Sequence, residues 1–126
     1  MTVPFHAAHL KIYVGEKFFS KSIPAYEEIL WEAKEMGLGG CTVIKCEMGY
    51  GHIGVTQSKE DEKHDDLPVL IEIVDSVDKI GRFAAVAAKI LGNHGLILMQ
   101  DATVLHQGSP HNAPPSPGHP GTFSDS

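Results

Sequence analysis

The sequence predicts an α+β domain with elements in the order β-α-β-β-α-β. Three observations carry that prediction. Two segments place apolar residues at helical spacing, four short segments are patterned as strands, and glycine or proline punctuates most of the joins. The order is that of the split βαβ unit. Its two crossovers must share one hand, so both helices cover the same face of the sheet. The expected architecture is a ferredoxin-like βαββαβ sandwich: a four-stranded antiparallel sheet with two helices on one face.

In the first strand, Leu10, Ile12 and Val14 alternate with Lys11 and Tyr13, and Gly15 ends it. Ser22 is a plausible helix N-cap, with Pro24 in the first turn, where its missing N–H costs little. The helix that follows carries Tyr26, Ile29, Leu30 and Ala33 on one side, and Gly37 stops it at the expected left-handed position. The second strand is read as Cys41 to Met48, with Thr42, Ile44, Cys46 and Met48 on one face. The third runs from Val69 to Val74, within an apolar stretch from Leu67 to Asp75, and is apolar on both faces except at Glu72. A second helix starts at Asp75 or Ser76, presents Ile80, Phe83, Ala84, Ala87 and Leu91, and breaks at Asn93 and Gly95. The fourth strand runs from about Leu96 to Leu105, with a bulge expected near Asp101, where the alternation changes phase. The sheet face away from the helices is then expected to carry Tyr13, Val43, Lys45, Leu70, Glu72 and Val74. That face is too apolar to stay exposed, which predicts self-association into a closed oligomer.

The chain has 126 residues and a mass of 13.6 kDa, enough for one domain with its own core. The folded part is expected at residues 9–106, preceded by an extension at 1–8. Residues 107–126 hold five of the eight prolines and have little to bury, so they read as a disordered tail. A net charge of −6 argues against binding duplex nucleic acid or an anionic membrane, both of which select basic faces. No apolar run approaches the roughly 20 residues of a membrane span. Met1 to His9 lacks a basic stretch followed by an apolar core, and the expected location is the cytoplasm. Cys41 and Cys46 are five apart on one expected strand, hence on opposite faces, and are expected as reduced packing residues.

Gly49-Tyr50-Gly51-His52-Ile53-Gly54 spells G-x-G-x-x-G at the end of a strand. The dinucleotide fingerprint requires a helix directly afterwards, whose N-terminus holds the pyrophosphate. Here Val55 to Asp66 is polar and has no helical stripe, so the motif is not that fingerprint. A strand instead feeds a long loop, residues 51–66, that returns to another strand. Loops of that length tend to be functional. Between Ser58 and Asp66 it carries five carboxylates and two lysines.

A ferredoxin-like domain whose second strand ends in Gly-aromatic-Gly and opens a long polar loop resembles the PII nitrogen-regulatory signalling proteins. More specifically, residues 9–106 resemble the PII-like family known as domain of unknown function 190. The segments carrying the resemblance are Ile12-Tyr13-Val14-Gly15-Glu16, Gly39-Gly40-Cys41-Thr42-Val43, Met48-Gly49-Tyr50-Gly51 and Asp66 through Asp75. It implies a homotrimer with ligand clefts between subunits and the bare sheet faces lining the centre. In the PII proteins those clefts hold adenine nucleotides, which makes such a nucleotide the candidate ligand. The resemblance places Gly49, Tyr50, Gly51 and His52 in one wall of the cleft and Gly92, Asn93, His94 and Gly95 in a facing loop that holds phosphates. It also implies that loop 51–66 meets a protein partner, an enzyme or a transporter.

Three departures bear on the ligand. The PII proteins continue with Arg-Gln where this chain has His52-Ile53. Their lysine after the second loop has no counterpart, since Gly95 is followed by Leu96-Ile97-Leu98. From Leu96 to Ser126 there is no Lys or Arg at all. A triphosphate needs several charge-assisted donors to offset its desolvation, so a less charged ligand is easier to hold.

The eight histidines and the acidic loop also motivate an alternative, a divalent-metal-binding trimer resembling the copper-tolerance CutA type. Glu16, Glu47 and Glu72 have no nucleophile or oxyanion hole beside them in the sequence, and Ser20 and Ser22 read as turn and cap residues. A non-enzymatic regulator is therefore expected.

Overall fold

An eleven-residue strand, β1 (Phe5–Gly15), runs through the middle of the sheet with an antiparallel partner on each side. The computed structural model describes residues 2–51 and 66–109, so most of the expected tail lies outside the described residues. Along the chain, β1 is followed by α1 (Ala25–Glu35), β2 (Thr42–Lys45), β3 (Pro68–Asp75), α2 (Val77–Leu91) and β4 (Leu96–Val104). The sheet order is β2-β3-β1-β4, and every pairing is antiparallel. The expected sandwich is therefore present. The core lies between the sheet and its two helices, where Leu10, Ile12 and Val14 of β1 and Val69, Ile71 and Ile73 of β3 meet Ile29, Ile80 and Phe83.

Several local expectations need correction. β1 begins at Phe5, so residues 5–8 belong to the sheet and not to an extension, and Ala7 and Ala8 are buried. β2 is only four residues long, and Cys41 and Cys46 to Met48 fall outside it. Its register also reverses the expected faces. Val43 pairs with Ile71 and Lys45 with Val69, which places both on the helix side of the sheet. Thr42 and Ile44, paired with Glu72 and Leu70, occupy the bare face instead. A mixed apolar strand can be read in either phase, and only pairing with β3 selects one. The bulge near Asp101 is absent: β4 keeps one unbroken register with β1 from Leu96 opposite Tyr13 to Val104 opposite Phe5.

α1 is capped differently from the expectation. Pro24, not Ser22, takes the cap position, and no side chain caps the helix. The amide of Ala25 is satisfied by the Phe18 carbonyl at 2.8 Å, a backbone bond across the preceding turn. Glu27 and Glu28 in the first turn complement the helix dipole. At the other end Gly37 has φ 77, and the amides of Leu38 and Gly37 donate to Ala33 and Lys34, each at 3.1 Å. This is a Schellman closure, with Leu38 folded back onto the core. Ser76 caps α2 by accepting from the Lys79 amide at 3.3 Å. Asp75 beside it accepts from the amides of Ser76 at 2.6 Å and Gly39 at 2.8 Å, tying the segment before β2 to the end of β3.

The α1 stripe is narrower than the sequence implied: Ile29 and Ala33 are fully buried, Tyr26 is half-buried, and Leu30 is 38% exposed. Ile29→Ala is expected to destabilise the domain by about 2–5 kcal/mol, as core truncations do. Leu30→Ala should stay within about 0.5 kcal/mol of the parent, as exposed sites do. Urea denaturation of the two variants checks the contrast.

Candidate functional site

The antiparallel pairings bring both candidate glycine segments to one end of the sheet. There β1 and β2 finish and β3 and β4 begin: Tyr13 pairs with Leu96, Gly15 with Pro68, and Lys45 with Val69. Gly49-Tyr50-Gly51 continues from β2, and Gly92 to Gly95 leads into β4. Because β2 and β4 are the two edges of the sheet, the two segments are separated by three strand spacings, roughly 14 Å. One chain thus places the two halves side by side at the same end but does not close them on each other.

Each half has a physical reason for its glycines. A Cβ on Gly49 would sit 2.7 Å from Cγ of Pro68, the first residue of β3, so the chain leaving β2 can pass only without a side chain. Gly51 has φ 125, in the region open mainly to glycine. Tyr50 between them is 96% exposed. On the other side, Gly92 has φ 60 and Gly95 φ 78, and a Cβ on Gly95 would meet the Tyr13 carbonyl oxygen at 2.7 Å. That close approach presses the second loop against the end of β1. His94 stacks its ring on Phe18, with centroids 4.0 Å apart, and its amide donates to Leu91 at 3.0 Å. Its Nδ1 is buried without a hydrogen-bond partner. Asn93 is exposed. His52 lies outside the described residues, as do residues 53–65 of the loop.

Sequence reading missed the part between the two halves. The turn after β1 gathers contacts from both sides. The Glu16 amide donates to the Leu67 carbonyl at 2.9 Å, and the Lys17 amide donates to an Asp66 carboxylate oxygen at 2.9 Å. The Glu16 carboxylate lies 3.0 Å from the Lys45 ammonium. A hydrogen bond to Glu16, then one to Tyr26, raises the Lys45 pKa above its ordinary value. Lys45 is the nearest cation in sequence to Gly49, and it is already paired. No composition signal marks Phe18, since an aromatic beside a glycine turn reads as ordinary packing.

Other groups do not converge into chemistry. Burial pushes the Cys41 thiol up to about 11, the opposite of an activated nucleophile. Cys41 and Cys46 are both free. Among the described residues, no group of three His, Cys, Asp or Glu side chains is spaced to hold a metal ion. A groove of about 290 Å³ lined by Met36, Leu38, Lys79 and Arg82 lies along the helices, away from the glycine segments. No helix among the described residues is long and apolar enough to cross a membrane.

The strand order and the two helices on one face give the chain the ferredoxin-like fold that PII-like proteins share. Residues 7–104 match the family described as DUF190, Uncharacterized ACR, and the chain belongs to that family. It is 38% identical over 104 residues to a UPF0166 protein of Aquifex aeolicus, covering 77% of this chain and 91% of the relative. It is 36% identical over 97 residues to a UPF0166 protein of Methanocaldococcus jannaschii, covering 75% and 88%. In fold it resembles CPII from Thiomonas intermedia K12, solved with ADP, AMP and acetate, at a TM-score of 0.59 and 14% identity, covering 81% of this chain and 91% of that one. A putative PII-like signaling protein of Thermus thermophilus matches at a TM-score of 0.53 and 14% identity, covering 79% and 90%. None of these comparisons points to a catalytic family, and none lends support to the CutA-type alternative.

Two outcomes test this geometry. Gly95→Ala should cost roughly 1–3 kcal/mol from its strained backbone and the Tyr13 approach. Gly92→Ala, with nothing near its added Cβ but a backbone at φ 60 and ψ −118, should also cost roughly 1–3 kcal/mol, from the backbone alone; chemical denaturation measures both. Cys41 should alkylate slowly at pH 8 and about tenfold faster per pH unit until near pH 11, because only the thiolate reacts. Mass-resolved iodoacetamide labelling against pH reads this directly.

Proposed function

We propose that the protein is a non-enzymatic, PII-like regulator that assembles as a homotrimer and binds a small ligand of low negative charge between subunits. The observation carrying this reading is the placement of the two glycine segments at one sheet end but on opposite edges. A ring in which the β2 edge of one copy neighbours the β4 edge of the next would bring Gly49-Tyr50-Gly51 to face Gly92 to Gly95. In the second segment the Gly92 and His94 amides are taken by Ala88 and Leu91, so the amides of Asn93 and Gly95 are the ones that would meet an anion. The bare sheet face, with Ile44, Val74 and Leu96 between 38% and 42% exposed, supplies apolar area that association would cover.

An adenine nucleotide with few phosphates is the ligand class favoured. CPII was solved with ADP and AMP, and the shared fold supports a ligand of the same kind here. The charge balance selects within that class. Lys45 is neutralised by Glu16, and β4 and the residues after it carry no Lys or Arg. Neither Lys45 nor β4 would therefore offset the desolvation of an added phosphate. Loop 51–66 would carry the response to a protein partner, its acidic stretch ordering on that partner at an entropy cost that ligand binding can modulate.

Calorimetric titration of AMP, ADP, ATP and a cyclic adenine nucleotide into the protein tests the reading. AMP or ADP is expected to bind more tightly than ATP, and a failure of all four to bind would sink it. Sedimentation should give three times the chain mass. Tyr50→Ala should weaken nucleotide binding about tenfold if its ring stacks on the base, a contact worth roughly 1–3 kcal/mol. Because the Tyr50 side chain is almost fully exposed within one chain, the substitution should leave the melting temperature of the isolated subunit unchanged.

A further inference from the structure

The turn joining β1 to α1 touches the second loop, the end of β2 and the place where the long loop returns to the sheet. Within three residues, Glu16 holds the Leu67 carbonyl and the Lys45 ammonium, Lys17 holds the Asp66 carboxylate, and Phe18 carries the His94 ring. Asp66 and Leu67 are where the long loop returns to the sheet, and Lys45 is the last residue of β2 before the chain leaves it. The turn is itself stiff. The Phe18 amide donates to Gly15 at 3.2 Å, the Phe18 carbonyl accepts from Ala25 at 2.8 Å, and the Phe18 ring packs against the core.

The second loop is tied to α2 by the Gly92 and His94 amides, which donate to Ala88 and Leu91 at 3.0 Å each. Toward the sheet it is pressed on the Tyr13 carbonyl at Gly95 and seated on Phe18 at His94. Tyr13 and Phe18 bracket the turn, so a shift of the loop toward the sheet must move the end of β1 or the Phe18 ring. Close-packed contacts transmit such shifts because they cannot absorb them.

We propose that Phe18 is a positioning residue for His94, and that the turn 15–18 ties the second loop to the root of the long loop at Asp66 and Leu67. A ligand held at Gly92 to Gly95 would then be read out at Asp66 within the same chain, two strands away. This consequence rests on the ligand reading above, whereas the link itself is a property of the ligand-free chain.

The test follows amide hydrogen exchange by NMR at Glu16 and Lys17, the two donors that hold the loop root. In the ligand-free full chain, His94→Ala is expected to speed exchange at both amides about fivefold, with Ala33 in α1 unchanged. The same change made in a Phe18→Leu background should add nothing, while a Phe18→Tyr background should restore the effect, because an aromatic ring is what couples the two. Rates at Glu16 and Lys17 that stay within about twofold in His94→Ala would overturn the proposal, as would a response that survives in Phe18→Leu. ADP is then added to the parent and to Phe18→Leu. Slowed exchange at Lys17 in the parent alone supports the readout, and equal slowing in both variants overturns it. If ADP fails to bind while the His94→Ala effect holds, the link stands and the nucleotide reading falls.

Discussion

The register of β1 between β3 and β4 is the constraint from which the rest follows. The strand pairs on both sides with no bulge, so the ends of its neighbours are fixed relative to one another. Shifting that register by one residue would send Leu10, Ile12 and Val14 to the bare face and empty the core. The same pairing brings Gly15 to Pro68 and Tyr13 to Leu96, and so determines which loops share an end. Function in this fold is a by-product of where a sheet must stop.

The glycines at that end are consequences of crowding. Gly49 is required by the Pro68 ring and Gly95 by the Tyr13 carbonyl. The proposed ligand would ask for the same residue, because a backbone without side chains lets an anion approach its amides. The electrostatics bear on what can be met there: Lys45 is paired with Glu16, and β4 carries no Lys or Arg. In the proposed reading, charge would decide how many phosphates the site can hold.

Much of the fold is legible in the sequence because strong periodicity leaves little choice. The α2 stripe of Ile80, Phe83, Ala87 and Leu91 is buried as its spacing demands, and Gly37 closes α1 in the left-handed conformation. The misreadings share one cause. Local pattern puts Val43 and Lys45 on the wrong face, Leu30 inside instead of outside, and a bulge where none exists, all in short or weakly alternating segments. In such segments the pattern fits two phases, and a partner strand or helix makes the choice. Ser22 loses the cap because the Phe18 carbonyl, from the other side of the turn, satisfies the Ala25 amide first.

The sequence by itself determined the element order, the buried stripes, the family resemblance and the glycine pairs, because each is written in spacing or in residue types that no neighbour can replace. Only the tertiary structure decided that the two glycine segments lie on opposite edges of one sheet end. It alone showed that Lys45 is spent on Glu16, and that Phe18 joins His94 to a turn that grips Asp66 and Leu67. Those facts depend on residues far apart in the chain meeting in space, and such meetings are set by strand pairing, which no local pattern encodes.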